Sequence, residues 1–155
     1  MDGLGGPFRW GKVVAVAALV AAITARAMPA AEPTLDELKA RVSAARIGEK
    51  PRLCVEIAER QLTEADKFYA ASQNDRGQAD LTDVTSFSEL ARDYAIQSHK
   101  REKQTEIAVR GMIRRLNDIL HTLPHEEQAP LKGAINRLQR VRDDLLLAMF
   151  PKAAQ

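Results

Sequence analysis

Apolar residues recur three or four positions apart along most of this chain, which is the spacing of one buried face of an α-helix. Thr34-Leu35-Asp36-Glu37 has the form of a capping box and predicts that the first helix begins there. The same apolar spacing predicts a second helix from about Pro51 to Ser72. The segment 73–77 has the composition of a turn. The chain therefore begins its folded part with a short helix and a longer one.

Residues 78–123 contain no proline and a single glycine, Gly111, and so predict one long helix. Its apolar stripe fails within 97–106, where the helix either bridges solvent or bends. A last helix begins between Glu126 and Pro130 and runs to Phe150. The pattern predicts an all-α fold, an elongated bundle whose long central helix is flanked by two antiparallel helices and a short N-terminal helix. The first helix is expected to lie beside the second half of the long one.

In that arrangement the hairpin of residues 51–96 leaves apolar surface exposed, and soluble proteins rarely tolerate such a patch without a partner. We therefore expect the hairpin to self-associate or to bind another envelope protein. The large side chains on its stripe are interpreted as hairpin core or as interface anchors. They are Phe68, Tyr69, Phe87, Leu90 and Tyr94.

The N-terminus has the pattern of a secretory signal peptide. Lys12 precedes an apolar run over 13–23, and Ala25-Arg26-Ala27 supplies small residues for cleavage. This run is too short to span a bilayer as a helix, although retention as an anchor is the alternative. We expect a signal peptide over 1–27, an extended segment over 28–33 and a helical domain over 34–151. The mature protein is then periplasmic or secreted, with no stable membrane span.

Charge is balanced in the mature chain but unevenly distributed. Residues 28–97 hold 13 acidic and 9 basic residues, net −4, whereas 98–155 hold 7 acidic and 11 basic, net +4. The overall neutrality argues against a nucleic-acid partner, which needs a basic surplus. The two halves could associate head to tail, the basic one could bind an anionic surface, or both could be solvated helix faces.

Arginines are concentrated late in the chain, where they could form an anion-binding patch or pair within the molecule. The residues concerned are Arg110, Arg114, Arg115, Arg137, Arg140 and Arg142. Intramolecular pairing is the favoured interpretation, with Asp118, Asp143 and Asp144 as partners.

A metal site is conceivable in one connection of the chain. His121 and His125 are four residues apart and are followed by Glu126 and Glu127, which are metal-ligating residue types. Pro124 interrupts the helix between the histidines, so an ordinary connection is the favoured interpretation. No cofactor is expected.

The single cysteine, Cys54, falls on the stripe of the second helix, which indicates a buried core residue. The alternatives are a cross-link between two chains and a redox thiol. The sequence contains no phosphate-binding glycine loop, nucleophile elbow or zinc-protease motif, so it does not predict an enzyme. It indicates a non-catalytic exported scaffold or adaptor that acts through helix-face association. The alternative is a periplasmic sensor that binds a small ligand or metal.

Overall fold

Helix α1 forms where the sequence supplies a complete N-terminal cap. The computed structural model describes residues 31–154, and in it α1 spans Leu35–Ala44. The Thr34 hydroxyl accepts from the Glu37 amide while the Glu37 carboxylate accepts from the Thr34 amide. The helix ends where Ala45 becomes extended. Leu38 and Val42 are its buried residues, so α1 attaches to the molecule by a narrow apolar stripe.

Helices α2 and α3 form an antiparallel hairpin. Helix α2 spans Lys50–Ala70, and α3 spans Asn74–Ser98. The connection is shorter than the predicted turn over 73–77, because Asn74 already belongs to α3 and Gly77 lies within it. The chain turns instead at Ser72, whose φ of 57° is left-handed. The hairpin therefore closes with a tight connection.

The long helix predicted over 78–123 is two helices. Helix α3 ends at Ser98, and α4 spans Glu102–Thr122. His99 and Arg101 adopt left-handed φ values of 52° and 64°, which reverse the chain. The break falls inside the polar stretch 97–106, where bending was one of the two expectations. Folding back buries the apolar stripe of α4 against the hairpin, which a straight helix would leave in water.

Helix α5 spans Ala129–Met149 and follows a short 3-10 turn at His125–Glu127. Helices α2 to α5 pack as a four-helix bundle in which α2 and α5 each lie beside both α3 and α4. Helix α2 runs parallel to α4, and α3 runs parallel to α5. An ion pair joins the helices of each parallel pair, Arg115 of α4 to Asp66 of α2 and Arg137 of α5 to Glu89 of α3. Helices α3 and α4 therefore occupy diagonally opposite corners of the bundle, and the connection between them crosses from one corner to the other.

The main core lies between these four helices, and α1 adds a second cluster on one side. The main core includes Leu62, Val84, Leu116, Leu131, Leu138, Val141 and Leu145. In the second cluster, Leu38 and Val42 of α1 pack with Cys54, Ile57 and Ala91 of the hairpin. The expected position of the first helix beside the second half of the long helix is therefore wrong.

The all-α fold is confirmed, and the described residues contain no strand. The described residues from Glu32 onward form one compact unit. None of the described helices combines the length and the apolar character that a membrane crossing requires. The predicted signal peptide, residues 1–27, and residues 28–30 of the expected extended segment lie outside the described residues.

Candidate functional site

The two ends of the bundle differ in polarity. One end, which we call the polar end, holds the connection 71–73 and the segment 123–128, where the Asn74 amide donates to the Glu127 carboxylate. The other, which we call the apolar end, holds Ile47, Leu147 and Phe150, which are 40%, 53% and 60% exposed. Leu90 and Ile107 are the two other exposed large hydrophobic residues of the described part of the chain. Three of these five residues therefore lie at one end.

The apolar end is built around the last turns of α3 and α5. Ile96 of α3 and Leu147 of α5 line one groove between the two helices. Arg92 bridges the groove margin, with Nη1 2.9 Å from Asp144 Oδ2. Phe150 follows the last residue of α5, and Pro151 prevents the helix from continuing over it. The aromatic ring is therefore left at the surface at the end of α5.

The chain reversal at His99–Arg101 lies at this same end. A Cβ built on Gly48 would lie 2.7 Å from Lys100 Cδ, so the reversal sits against the residues that lead into α2. Arg101 Nη2 lies 3.3 Å from Glu49 Oε1 and closes the contact. Charged residues of both signs thus lie at the same end as the exposed apolar side chains.

Four of the five residues predicted as interface anchors are at least partly covered by the fold. Tyr69 is 5% exposed and belongs to the main core, and burial raises the pKa of its hydroxyl to about 12. Phe87 is half-buried between the two clusters, and Tyr94 is half-buried against the second one. The expectation of a bare two-helix hairpin is wrong, because α1 covers one side of it and α4 and α5 cover the other.

Cations lie over the three half-buried aromatic rings. Lys39 lies 5.5 Å from the ring centroid of Phe87, and Lys50 lies 5.0 Å from that of Tyr94. Arg76 lies 4.8 Å from that of Phe68, which is also half-buried. Leu90, at 37% exposed, is the most accessible of the five predicted anchors. Their role at an interface stays a prediction.

The predicted metal ligands do not converge. His121, His125, Glu126 and Glu127 are all exposed around the end of α4 and the following 3-10 turn. Glu127 is engaged by Asn74. Across the described residues, no group of three or more His, Cys, Asp or Glu side chains is placed to hold a metal ion.

Cys54 is a core residue, as its position on the stripe predicted. It is fully buried in the cluster between α1 and the hairpin. Burial raises the pKa of its thiol to about 11, although Lys50 acts in the opposite direction. A protonated thiol without solvent contact is a poor nucleophile.

Arginines of α4 and α5 pair within the molecule, but mostly across helices. Arg115 donates to Asp66 at 3.0 and 3.2 Å and to the Thr63 hydroxyl at 3.1 Å. Arg142 donates to Glu106 at 2.8 Å, and that carboxylate is 8% exposed. Intramolecular pairing is confirmed for these residues. The partners differ from the expected ones because sequence proximity does not reveal which helix lies alongside.

Leu147 and Phe150 were missed as surface residues by the sequence reasoning. The sequence does carry a signal for Leu147, which stands off the buried stripe of α5 formed by Leu138, Val141 and Leu145. The signal for Phe150 is weaker, because a position beside a helix-ending proline does not reveal exposure. Comparison with protein-family models, curated proteins and solved structures finds no match for this chain.

Proposed function

We propose that this protein is an exported, non-catalytic helical bundle that acts by associating with a protein surface, in the first place with a second copy of itself. The observation that carries the proposal is the concentration of exposed Ile47, Leu147 and Phe150 at the apolar end. Burying apolar surface stabilises a complex by about 25 cal/mol per Å² before the cost of association is subtracted. Leu147 and Phe150 are close in sequence at the end of α5, and exposed apolar side chains that lie together mark association sites more often than scattered ones do.

A second copy fits the apolar end by charge as well as by hydrophobicity. The groove margin carries Arg92 with Asp93 and Asp144, and the reversal carries Arg101 with Glu49. Two such ends that face each other can pair opposite charges around a central apolar contact. Polar rims around an apolar centre are typical of protein interfaces.

The non-catalytic part of the proposal is supported by the state of the buried ionisable groups. Cys54 and Tyr69 have pKa values raised to about 11 and about 12 by burial, so both are protonated at neutral pH. The most buried carboxylate of an ion pair, Glu106, is held by Arg142 and Arg110. None of these three groups is therefore held as a charged acid or base ready to exchange a proton near neutral pH.

The test is the molar mass of the purified protein in solution, measured by size exclusion with light scattering over a range of concentrations. The double variant Leu147→Asn/Phe150→Ser should shift the midpoint of dimerisation to at least tenfold higher concentration. Leu90→Asn, at an exposed leucine on the side of α3, is the control and should leave the midpoint unchanged. A shift with Leu90→Asn alone would instead favour the side of the hairpin as the interface.

A further inference from the structure

We propose that two copies of this chain associate by exchanging their α4–α5 hairpins, with residues His99–Arg101 as the hinge. This inference rests on the proposed function, because it specifies how self-association occurs. In the exchanged dimer the α4–α5 hairpin of each copy packs on helices α1 to α3 of the other. The contacts that α4 and α5 make with helices α1 to α3 are then kept, but between chains, and only the contacts of the hinge residues change.

The first support is backbone strain in the hinge. His99 and Arg101 have φ values of 52° and 64°, the left-handed region that residues with a Cβ adopt at an energetic cost. Neither position is a glycine, although glycine would relieve the strain. Short hinges under strain favour exchange of elements between copies, because opening releases the strain while the contacts are recovered in the dimer.

The second support is that the hinge sequence is compatible with a helix. Residues 78–110 contain neither proline nor glycine, and lysine and arginine in the hinge are good helix formers. If the hinge becomes helical, α3 and α4 join into one helix over 74–122, about 73 Å long. The helix that the sequence predicts over 78–123 is thus the open form, and the reversed chain is the closed form.

The third support is charge, which makes the two halves complementary. Residues 28–97 are net −4 and residues 98–155 are net +4. Arg101, Arg115 and Arg137 reach from the positive half to Glu49, Asp66 and Glu89 of the negative half. Only Arg92 to Asp144 runs in the opposite direction among the ion pairs between the halves of the described chain. An opened α4–α5 hairpin is therefore attracted to the α1–α3 half of another copy, while like halves repel.

The position of the hinge also explains the apolar end. Because the hinge lies at this end, the two lobes of an exchanged dimer are joined there and face each other through it. Leu147 and Phe150, 53% and 60% exposed in the closed form, then lie at the junction of the lobes. In the exchanged dimer, each lobe therefore covers the exposed apolar side chains of the other.

The test compares two double variants of the full chain that differ only at the hinge. His99→Ala/Arg101→Ala retains the cost of the left-handed conformation and favours a helix, whereas His99→Gly/Arg101→Gly relieves it and disfavours a helix. Both remove the Arg101–Glu49 pair, so they are matched in every other contact. After unfolding and refolding at one concentration, the dimer-to-monomer ratio by light scattering should be at least tenfold higher for the alanine variant. Equal ratios would overturn the proposal.

Cross-linking identifies the exchange itself. In a Cys54→Ala background, a chain with Asp66→Cys is refolded together with a chain with Arg115→Cys and treated with a short bis-maleimide. These positions face each other between α2 and α4, so an exchanged dimer gives a cross-link between the two chains. Dimers without this cross-link overturn the exchange but leave face-to-face association through the apolar end, as the Leu147→Asn/Phe150→Ser comparison reports. Monomers from both hinge variants also overturn the exchange, and the wild-type mass then decides the proposed function independently.

Discussion

The absence of a side chain at Gly77 of α3 lets this helix pack closely against Tyr69 of α2. A Cβ at this position would lie 2.8 Å from Cε2 of Tyr69, whose ring is packed in the core. Helix interiors normally disfavour glycine, so this contact is a physical reason for its presence in α3.

We predict that Gly77→Ala lowers the free energy of unfolding by about 1–3 kcal/mol, because the ring and the helix must move apart. Gly133→Ala is the matched control. Gly133 also lies within a helix, but a Cβ there meets no atom within 4 Å. That substitution should raise the free energy of unfolding by about 0.5–1 kcal/mol through helix propensity. Urea unfolding measures both values, and a stabilising Gly77→Ala would contradict the account of the contact.

Cys54 and Tyr69 make the free energy of unfolding depend on pH in the alkaline range. Folding raises the pKa of the Cys54 thiol from 9.0 to about 11 and that of the Tyr69 hydroxyl from 10.0 to about 12. The unfolded chain therefore releases protons at a lower pH than the folded chain does. The stabilisation is complete below pH 9.0 and is lost as the pH rises from 9.0 towards about 12.

We predict that the free energy of unfolding falls as the pH is raised through this interval. The Cys54→Ala variant should show a shallower fall between pH 9.0 and about 11, since it lacks the thiol that titrates there. Urea titrations at several pH values measure the slope. Identical slopes in the two proteins would exclude Cys54 as a contributor.

At the scale of the element, the helices were predictable because each carries its own signals. The Thr34–Glu37 capping box sets the start of α1, and Pro51 lies in the first turn of α2. The apolar stripes identified most of the buried residues, including Cys54. The chain reversal within residues 97–106 was not predictable from the sequence. The local composition there suits a helix, and the reversal depends on contacts with residues far away in sequence.

The surface residues were harder to predict than the helices. A stripe shows that Tyr69 and Phe87 face an apolar environment but not whether that environment is the same molecule or another one. In the structure, α1 and the folded-back α4–α5 hairpin supply most of it. The exposure of Leu147 follows from its position off the stripe of α5, whereas that of Phe150 depends on how the end of the bundle is packed.

Ion pairs between helices should differ in strength according to burial. We predict that Glu106→Ala lowers the free energy of unfolding by about 1–3 kcal/mol, because its carboxylate is 8% exposed and holds Arg142 between α4 and α5. Glu64→Ala, which removes the exposed pair with Lys67, is the control and should change stability by less than about 0.5 kcal/mol. Thermal or urea unfolding compares them. Equal effects would show that the Glu106–Arg142 pair does not help to hold α4 and α5 together.

In the whole molecule, the change in the sign of the net charge coincides with the boundary between α3 and α4. The acidic half forms α1, α2 and α3, and the basic half forms α4 and α5, so the halves attract each other across the bundle. This attraction serves the closed monomer and the exchanged dimer equally. In the proposed exchange, strain at His99 and Arg101 and the exposed apolar end both favour the dimer over the closed monomer.

Export of the protein is a prediction from the N-terminal pattern of the sequence. We predict that the protein expressed with its own N-terminus in an exporting bacterial host is cleaved after Ala27. Intact mass spectrometry of the purified protein should then give the mass of residues 28–155. A mass that includes residues 1–27, with the protein retained at the membrane, would show that the segment is an anchor instead.

Self-association through the apolar end is tested by the molar mass of the wild-type protein in solution, measured across concentration. We expect a rise from monomer to dimer with increasing concentration, and a weakened rise when Leu147 and Phe150 are made polar. A constant monomer mass at all concentrations, for wild type and variant alike, would contradict it.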